Sequence, residues 1–150
     1  MLHLSLKLKK MDNMIETYRG VVYPNQLDHM GHMNVQWYAA KFDEATWHFF
    51  STVEITSDYI STNQKGMAAL EQHISYKSEV MAGDLLFIQS QILEVKEKIM
   101  KFVHIMYNAE TKKEIARCEL TGIHMDRVKR KSCPLPENVL RKCKQLIKNK

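Results

Sequence analysis

Cysteine, glycine and proline are all scarce in this chain. Its 150 residues hold 3 Cys, 5 Gly and 3 Pro. The cysteines, Cys118, Cys133 and Cys143, form no C-x-x-C pair, which argues against a zinc ribbon or a dithiol redox motif. An odd number of thiols without a secretory signal points to a reduced, cytoplasmic setting. So little Gly and Pro is unlike a disordered or low-complexity chain. No apolar run approaches the roughly 20 residues that span a bilayer, so no membrane segment is expected. Also missing are His and carboxylate clusters at metal spacing, a Gly-rich phosphate loop and a Gly-x-Ser-x-Gly elbow. Neither a metal nor a separate cofactor is therefore expected, and nucleotide hydrolases and serine esterases are disfavoured.

What is present suits one folded domain with a sizeable core: 45% of residues are hydrophobic and 26% charged. The net charge of +5 is unevenly placed. Residues 127–150 carry 9 Lys or Arg against 1 acid, and residues 1–10 carry 3 Lys and no acid. The body, 11–126, is acidic, with 16 acids against 10 bases. An acidic body makes a poor nucleic-acid scaffold, and no nucleic-acid partner is expected. The basic end reads as a solvated terminus. The expected layout is a tail over 1–14, with Met11 or Met14 as a second possible start, a domain over 15–127 and a basic extension over 128–150.

Thr17 to Tyr23 is rich in β-formers and reads as a first strand, closed by Pro24 and Asn25. Asn34 is placed to cap a helix. From Val35 the period changes: Val35, Tyr38, Ala39, Phe42, Ala45, Phe49 and Phe50 form an i, i+3, i+4, i+7 stripe, with Lys41, Glu44 and His48 on the other side. This predicts a helix of about 17 residues packed across a sheet. Residues 51–66 are polar and mixed. Four strands are expected at Met67–Val80, Leu85–Val95, Ile99–Ala109 and Glu114–Asp126, with a bulge at Gly122 and turns at Gly83-Asp84, Lys96-Glu97-Lys98 and Glu110–Lys113. Short tips imply an antiparallel meander. Glu137–Lys148 reads as a short helix packing through Val139, Leu140, Leu146 and Ile147. One long helix on an antiparallel sheet of about five strands, plus a short C-terminal helix, is an α+β layout. Its uncovered face and edges favour a homodimer or homotetramer.

The stretch Asp28-His29-Met30-Gly31-His32-Met33-Asn34, followed by Tyr38 and Phe42-Asp43-Glu44-Ala45, resembles the hot-dog thioesterases. Their pattern is Asp, two residues, Gly-His-x-Asn, then a Tyr four residues into the helix. Many members carry another Asp two positions before the first, where this chain has Gln26. A second match is the strand Ala68-Ala69-Leu70-Glu71-Gln72-His73-Ile74-Ser75-Tyr76 with its Gly83-Asp84 turn. Within the family, Leu-Glu-x-His-Ile-x-Tyr looks like the thioesterases of carnitine breakdown, which act on betainyl-CoA. The resemblance covers about residues 17–126. It implies a hot-dog fold and hydrolysis of an acyl-CoA, coenzyme A being part of the substrate.

Thioester hydrolysis needs a polarised carbonyl, an attacking oxygen and a departing thiolate. Unpaired backbone N–H groups at a helix start polarise the carbonyl, and the candidates are those of Gly31 and Val35. The resemblance makes Asp28 the nucleophile or general base. His32 is a donor to the substrate or a loop anchor, and Asn34 is the cap or an orienter of water. Glu71 and His73 share a strand face by alternation, so Glu71 becomes a rival base if an oligomer brings that face to the helix foot. Trp37, Tyr38 and Trp47 offer aromatic faces to a trimethylammonium group. Three alternatives remain beside the hydrolase: a non-catalytic hot-dog module that binds acyl-CoA or a partner protein, a hot-dog dehydratase, and a nucleic-acid binder resting on the basic tail.

Overall fold

Aromatic and aliphatic side chains spaced by helical turns meet alternating strands, and the two patterns interlock. In a computed structural model describing residues 14–148, the long helix α1 spans Val35–Thr52. Tyr38, Phe42, Ala45 and Phe49 make its buried stripe. The strands are β1 (Ile15–Val21), β2 (Lys65–Tyr76), β3 (Leu85–Lys96), β4 (Ile99–Asn108), β5 (Glu114–Asp126) and the two-residue β6 (Lys131–Ser132). Short helices α2 (Ser57–Asn63) and α3 (Glu137–Lys148) complete the chain. The expected tail over 1–14 lies, apart from Met14, outside the described residues.

The sheet order is β1-β3-β4-β5-β2, with β6 on β5 and every pair antiparallel. Side chains facing α1 line up in rows across it: Ile88, Met106 and Ala116, then Ser90, His104 and Cys118, then Ile92, Phe102 and Leu120. All nine are buried. Phe49 stacks on Phe102 with ring centroids 5.1 Å apart. Register slips in β1, β2 and β3, and between β4 and β5, bend the sheet around the helix.

Several expectations need correction. A plain meander puts β2 beside β3, but β2 sits at the far edge on β5. Residues 77–84 therefore cross over, and Gly83-Asp84 bonds to Val22 at the end of β1 instead of closing a hairpin. The bulge lies at Leu70, skipped between Ala69↔Gly122 and Glu71↔Thr121, while Gly122 keeps its partners on both sides. Residues 51–66 include α2, which buries none of its residues and so shows no apolar stripe. Lys41 is not on the solvent side of α1. It is 4% exposed, and its Nζ donates to Tyr18 Oη at 3.0 Å and to the Val21 carbonyl at 3.4 Å. Its aliphatic stem fills the gap between helix and β1. Tyr18 reaches it by lying over Gly20, where a Cβ would fall 2.2 Å from the Tyr18 hydroxyl.

The basic C-terminal segment is part of the packed structure, not a frayed end. Leu135, Val139 and Cys143 are buried in the core, with Leu140, Leu146 and Ile147 packed against it. Buried His124 ties this segment down, since its Nδ1 lies 3.2 Å from the Cys133 carbonyl and its Nε2 2.9 Å from Tyr59 Oη.

Candidate active site

The loop before α1 is closed by its own backbone. Leu27 and Met33 form an isolated antiparallel bridge. Within it, Asp28 N donates to the His32 carbonyl at 2.7 Å, and Gly31 N donates to the Asp28 carbonyl at 3.1 Å. Gly31 sits at φ +80°, in the left-handed region where a side chain is strained. The loop is pinned outside as well: Met33 N donates to the Val80 carbonyl at 2.9 Å and Asn34 N to the Gln26 carbonyl at 2.8 Å. Gln26, standing where the family pattern has its extra Asp, is buried and accepts from Tyr23 N at 3.1 Å. A carboxylate's place is thus taken by a loop brace.

The Asp28 carboxylate is held by the same turn. Its Oδ1 accepts from Met30 N at 2.8 Å and His32 N at 3.3 Å. Among the described residues Oδ2 has no hydrogen-bond partner. Burial alone would raise the carboxyl pKa. The two N–H donations, helped by the rings of His29 and His32, outweigh that and hold it below the usual carboxylate value. Asp28 is therefore ionised at neutral pH, with one oxygen braced and one free.

The helix start supplies the complementary charge. Asn34 caps α1 as its position predicts, accepting from Gln36 N at 3.0 Å through Oδ1, and its carbonyl takes Trp37 N at 3.0 Å. Val35 N, the first of the helix, has no acceptor among the described residues and faces the positive end of the dipole. The Gly31 N–H is engaged inside the loop, which leaves Val35 as the spare donor of the two candidates.

Two groups reach the loop from the end of β2 and the segment after it. His32 Nε2 lies 3.1 Å from Glu79 Oε2. Tyr76 meets buried Tyr38 edge to face, with centroids 5.0 Å apart. The Tyr38 hydroxyl is pushed up to about 12 by burial first, then by the neighbouring Tyr76, Glu79 and Asp28. Asp28, His32, Tyr38, Tyr76 and Glu79 are thus one cluster. Nothing local in the sequence marks Glu79 or Tyr76 as part of a site. They arrive through the path of β2 along the far edge.

Other anticipated residues lie apart. Glu71 and His73 are exposed on β2, and Glu71, five residues before Tyr76, is about 17 Å away along an extended strand. Trp37, Tyr38 and Trp47 do not converge. Trp37 lines a groove with Tyr18, Tyr23, Gln26 and Lys41 on the β1 side. Trp47 lines a cleft of about 210 Å³ with Phe50, Met67, Phe102 and Leu120 on the β2 side. Among the described residues no three His, Cys, Asp or Glu side chains gather as a metal site, and no helix is long and apolar enough to cross a membrane.

The profile of the Thioesterase-like superfamily matches residues 22–143, nearly the whole described chain. The chain belongs to this superfamily. By class it is thus a thioester hydrolase, and its curled sheet around one helix is the hot-dog fold. A betainyl-CoA thioesterase of Pseudomonas aeruginosa is 24% identical over 136 residues, spanning 91% of this chain and 86% of that protein. A Staphylococcus aureus protein solved in complex with CoA superposes with a TM-score of 0.83 at 19% identity, covering 91% and 87% of the two chains. A 1,4-dihydroxy-2-naphthoyl-CoA thioesterase from Synechocystis superposes with a TM-score of 0.75 at 19% identity, covering 87% and 96%. The superfamily match begins at Val22 and so takes in the loop, the helix and all strands after β1.

Proposed function

We propose that this superfamily member hydrolyses an acyl-CoA to the free acid and coenzyme A, with Asp28 as the reacting carboxylate. One observation carries the reading: an ionised carboxylate with a free oxygen stands beside a helix start with a spare N–H. The Oδ2 left free of the loop's hydrogen bonds supports direct attack. Asp28 Oδ2 adds to the thioester carbon, and Val35 N–H receives the oxyanion. Collapse breaks the C–S bond and releases the CoA thiolate, leaving a mixed anhydride on Asp28. Water then cleaves the anhydride, returning the carboxylate and the free acid. Gly31 gives the substrate backbone room, while His32 and Asn34 hold the loop.

The acyl group we assign is the short cationic betainyl group. A relative bearing that activity supports it, as does the carboxylate-rich cluster. A cytoplasmic place fits three free thiols, two of them buried. A homodimer or homotetramer fits the β2 edge, where residues 68–73 are all exposed and Leu70 is 55% exposed. In such an assembly Glu71 and His73 of a second copy are the residues able to complete the site.

The test is a panel of betainyl, short straight-chain, branched and aromatic CoA thioesters, read by thiol release. Rapid-quench mass spectrometry checks for acyl label on the Asp28 peptide. If every thioester survives, the hydrolase reading is wrong. If turnover persists without acyl label, Asp28 serves as a base and not as the nucleophile.

A further inference from the structure

We infer that Tyr76 and Glu79, beside Asp28, form a subsite for a quaternary ammonium group carried next to the thioester carbonyl. The inference rests on the thioesterase reading only for where that carbonyl lies.

The first support is position. In an α-trimethylammonio acyl group one methylene separates the cation from the carbonyl carbon. Whatever recognises the cation must therefore stand immediately beside the attacking carboxylate. Glu79 reaches the Asp28 loop through His32, with Oε2 3.1 Å from His32 Nε2, and Tyr76 packs on Tyr38, whose hydroxyl feels both Glu79 and Asp28. The two tryptophans stand off this cluster on the helix flanks.

The second support is charge. Asp28 and Glu79 put two carboxylates around His32, and among the described residues Glu79 has His32 as its only ion-pair partner while Asp28 has none. Lys77 and Lys113 line a groove on another side of Glu79, and neither comes within salt-bridge distance of it. Two carboxylates at the reacting end offer a neutral or anionic acyl group no favourable partner. A cationic acyl head is attracted to both carboxylates.

The third support is surface. Tyr76 is 50% exposed and the Glu79 side chain 73% exposed, so both are open to a ligand. Tyr38 packs against Tyr76 with the two rings perpendicular, which steadies the Tyr76 ring. A half-exposed aromatic ring with a carboxylate in the same cluster suits a quaternary ammonium, which cannot donate a hydrogen bond and is bound by electrostatics and contact. In these roles Tyr76 and Glu79 determine specificity, and Tyr38 is a positioning residue.

The experiment compares betainyl-CoA with tert-butylacetyl-CoA, the isostere with carbon in place of the charged nitrogen. The ratio of their kcat/KM values is divided by the ratio of their non-enzymatic hydrolysis rates, which removes intrinsic activation by the cation. The corrected ratio is expected to be about tenfold or more in favour of betainyl-CoA. Tyr76→Leu and Glu79→Gln should each cut it roughly fivefold to tenfold, while Tyr76→Phe keeps it, because the ring face and not the hydroxyl binds. A wild-type ratio near one, or a ratio unmoved by both substitutions, overturns the subsite and leaves the hydrolase intact. If neither thioester is turned over, the hydrolase reading fails, but the intact thioesters then report binding directly. Calorimetric Kd values should still favour betainyl-CoA and lose that preference in Glu79→Gln, and equal Kd values overturn the subsite.

Discussion

His32 and His104 both sit in polar clusters against α1, and the two clusters behave in opposite ways. His104 is fully buried between Phe42, Phe49 and Phe102. Its Nε2 meets Thr46 Oγ1 at 2.8 Å, its Nδ1 meets Ser90 Oγ, and Ser90 Oγ meets Thr17 Oγ1 at 2.7 Å. Thr46 donates its proton to the Phe42 carbonyl at 3.0 Å, so it must accept from Nε2–H, and Ser90 must donate to Nδ1. Each group in that chain is used up, and the imidazole is neutral. Desolvation drives its pKa down to about 3. The cluster around His32 is half-open, carries two carboxylates and leaves Asp28 Oδ2 and Val35 N–H unused. A polar cluster with every capacity filled holds a fold together, and one with spare capacity can meet a ligand.

The largest expected break is at the open cluster. Asp28→Asn should lower kcat/KM about a thousandfold, roughly 4 kcal/mol of transition-state stabilisation, with Tm nearly unchanged. Thiol-release kinetics beside a thermal melt check both halves, and a matching fall in Tm would blur the contrast. His104→Leu should do the reverse. It costs about 2 kcal/mol of stability at pH 7 by leaving Ser90 and Thr46 short of a partner, with activity per folded molecule little changed. The same variant tests the pH dependence. The unfolded imidazole titrates near 6.5 and the folded one near 3, so the unfolded state binds the extra proton. Stability from the neutral ring is whole above pH 6.5 and drains away as pH falls toward 3. Denaturant melts at pH 7 and pH 5 should show that loss in wild type and less of it in His104→Leu. Val35→Pro comes next: proline suits the first helical position, so the fold survives, but the lost N–H should lower kcat about a hundredfold. Equal kcat in that variant removes Val35 from the oxyanion role. The smallest change is expected from Glu71→Gln, under about threefold in kcat/KM, because Asp28 already supplies the reacting carboxylate. A loss near that of Asp28→Asn promotes Glu71 of a second copy to the chemistry.

Legibility followed range along the chain. The stripe Tyr38, Phe42, Ala45, Phe49 announces α1 because helical period is local, and Lys96-Glu97-Lys98 announces the β3–β4 tip for the same reason. The loop Asp28–Asn34 was readable as a motif, since its bonds run among near neighbours. What escaped depends on distant partners. Lys41 reads as solvent-facing until Tyr18 and Val21 supply its acceptors. β2 reads as the neighbour of β3 until β5 takes it. Tyr76 and Glu79 gain meaning only because that edge returns to the foot of α1.

The same sheet order sets a timetable. β3, β4 and β5 are tied by short tips and can zip locally, whereas β1 must find β3 across the helix and β2, as in Val21↔Leu85, and β2 must find β5, as in Lys65↔Asp126. Closing such long loops is the slow part of folding. The Asp28 loop lies between those two edge strands in sequence, so the expected order completes it only after both edges have docked.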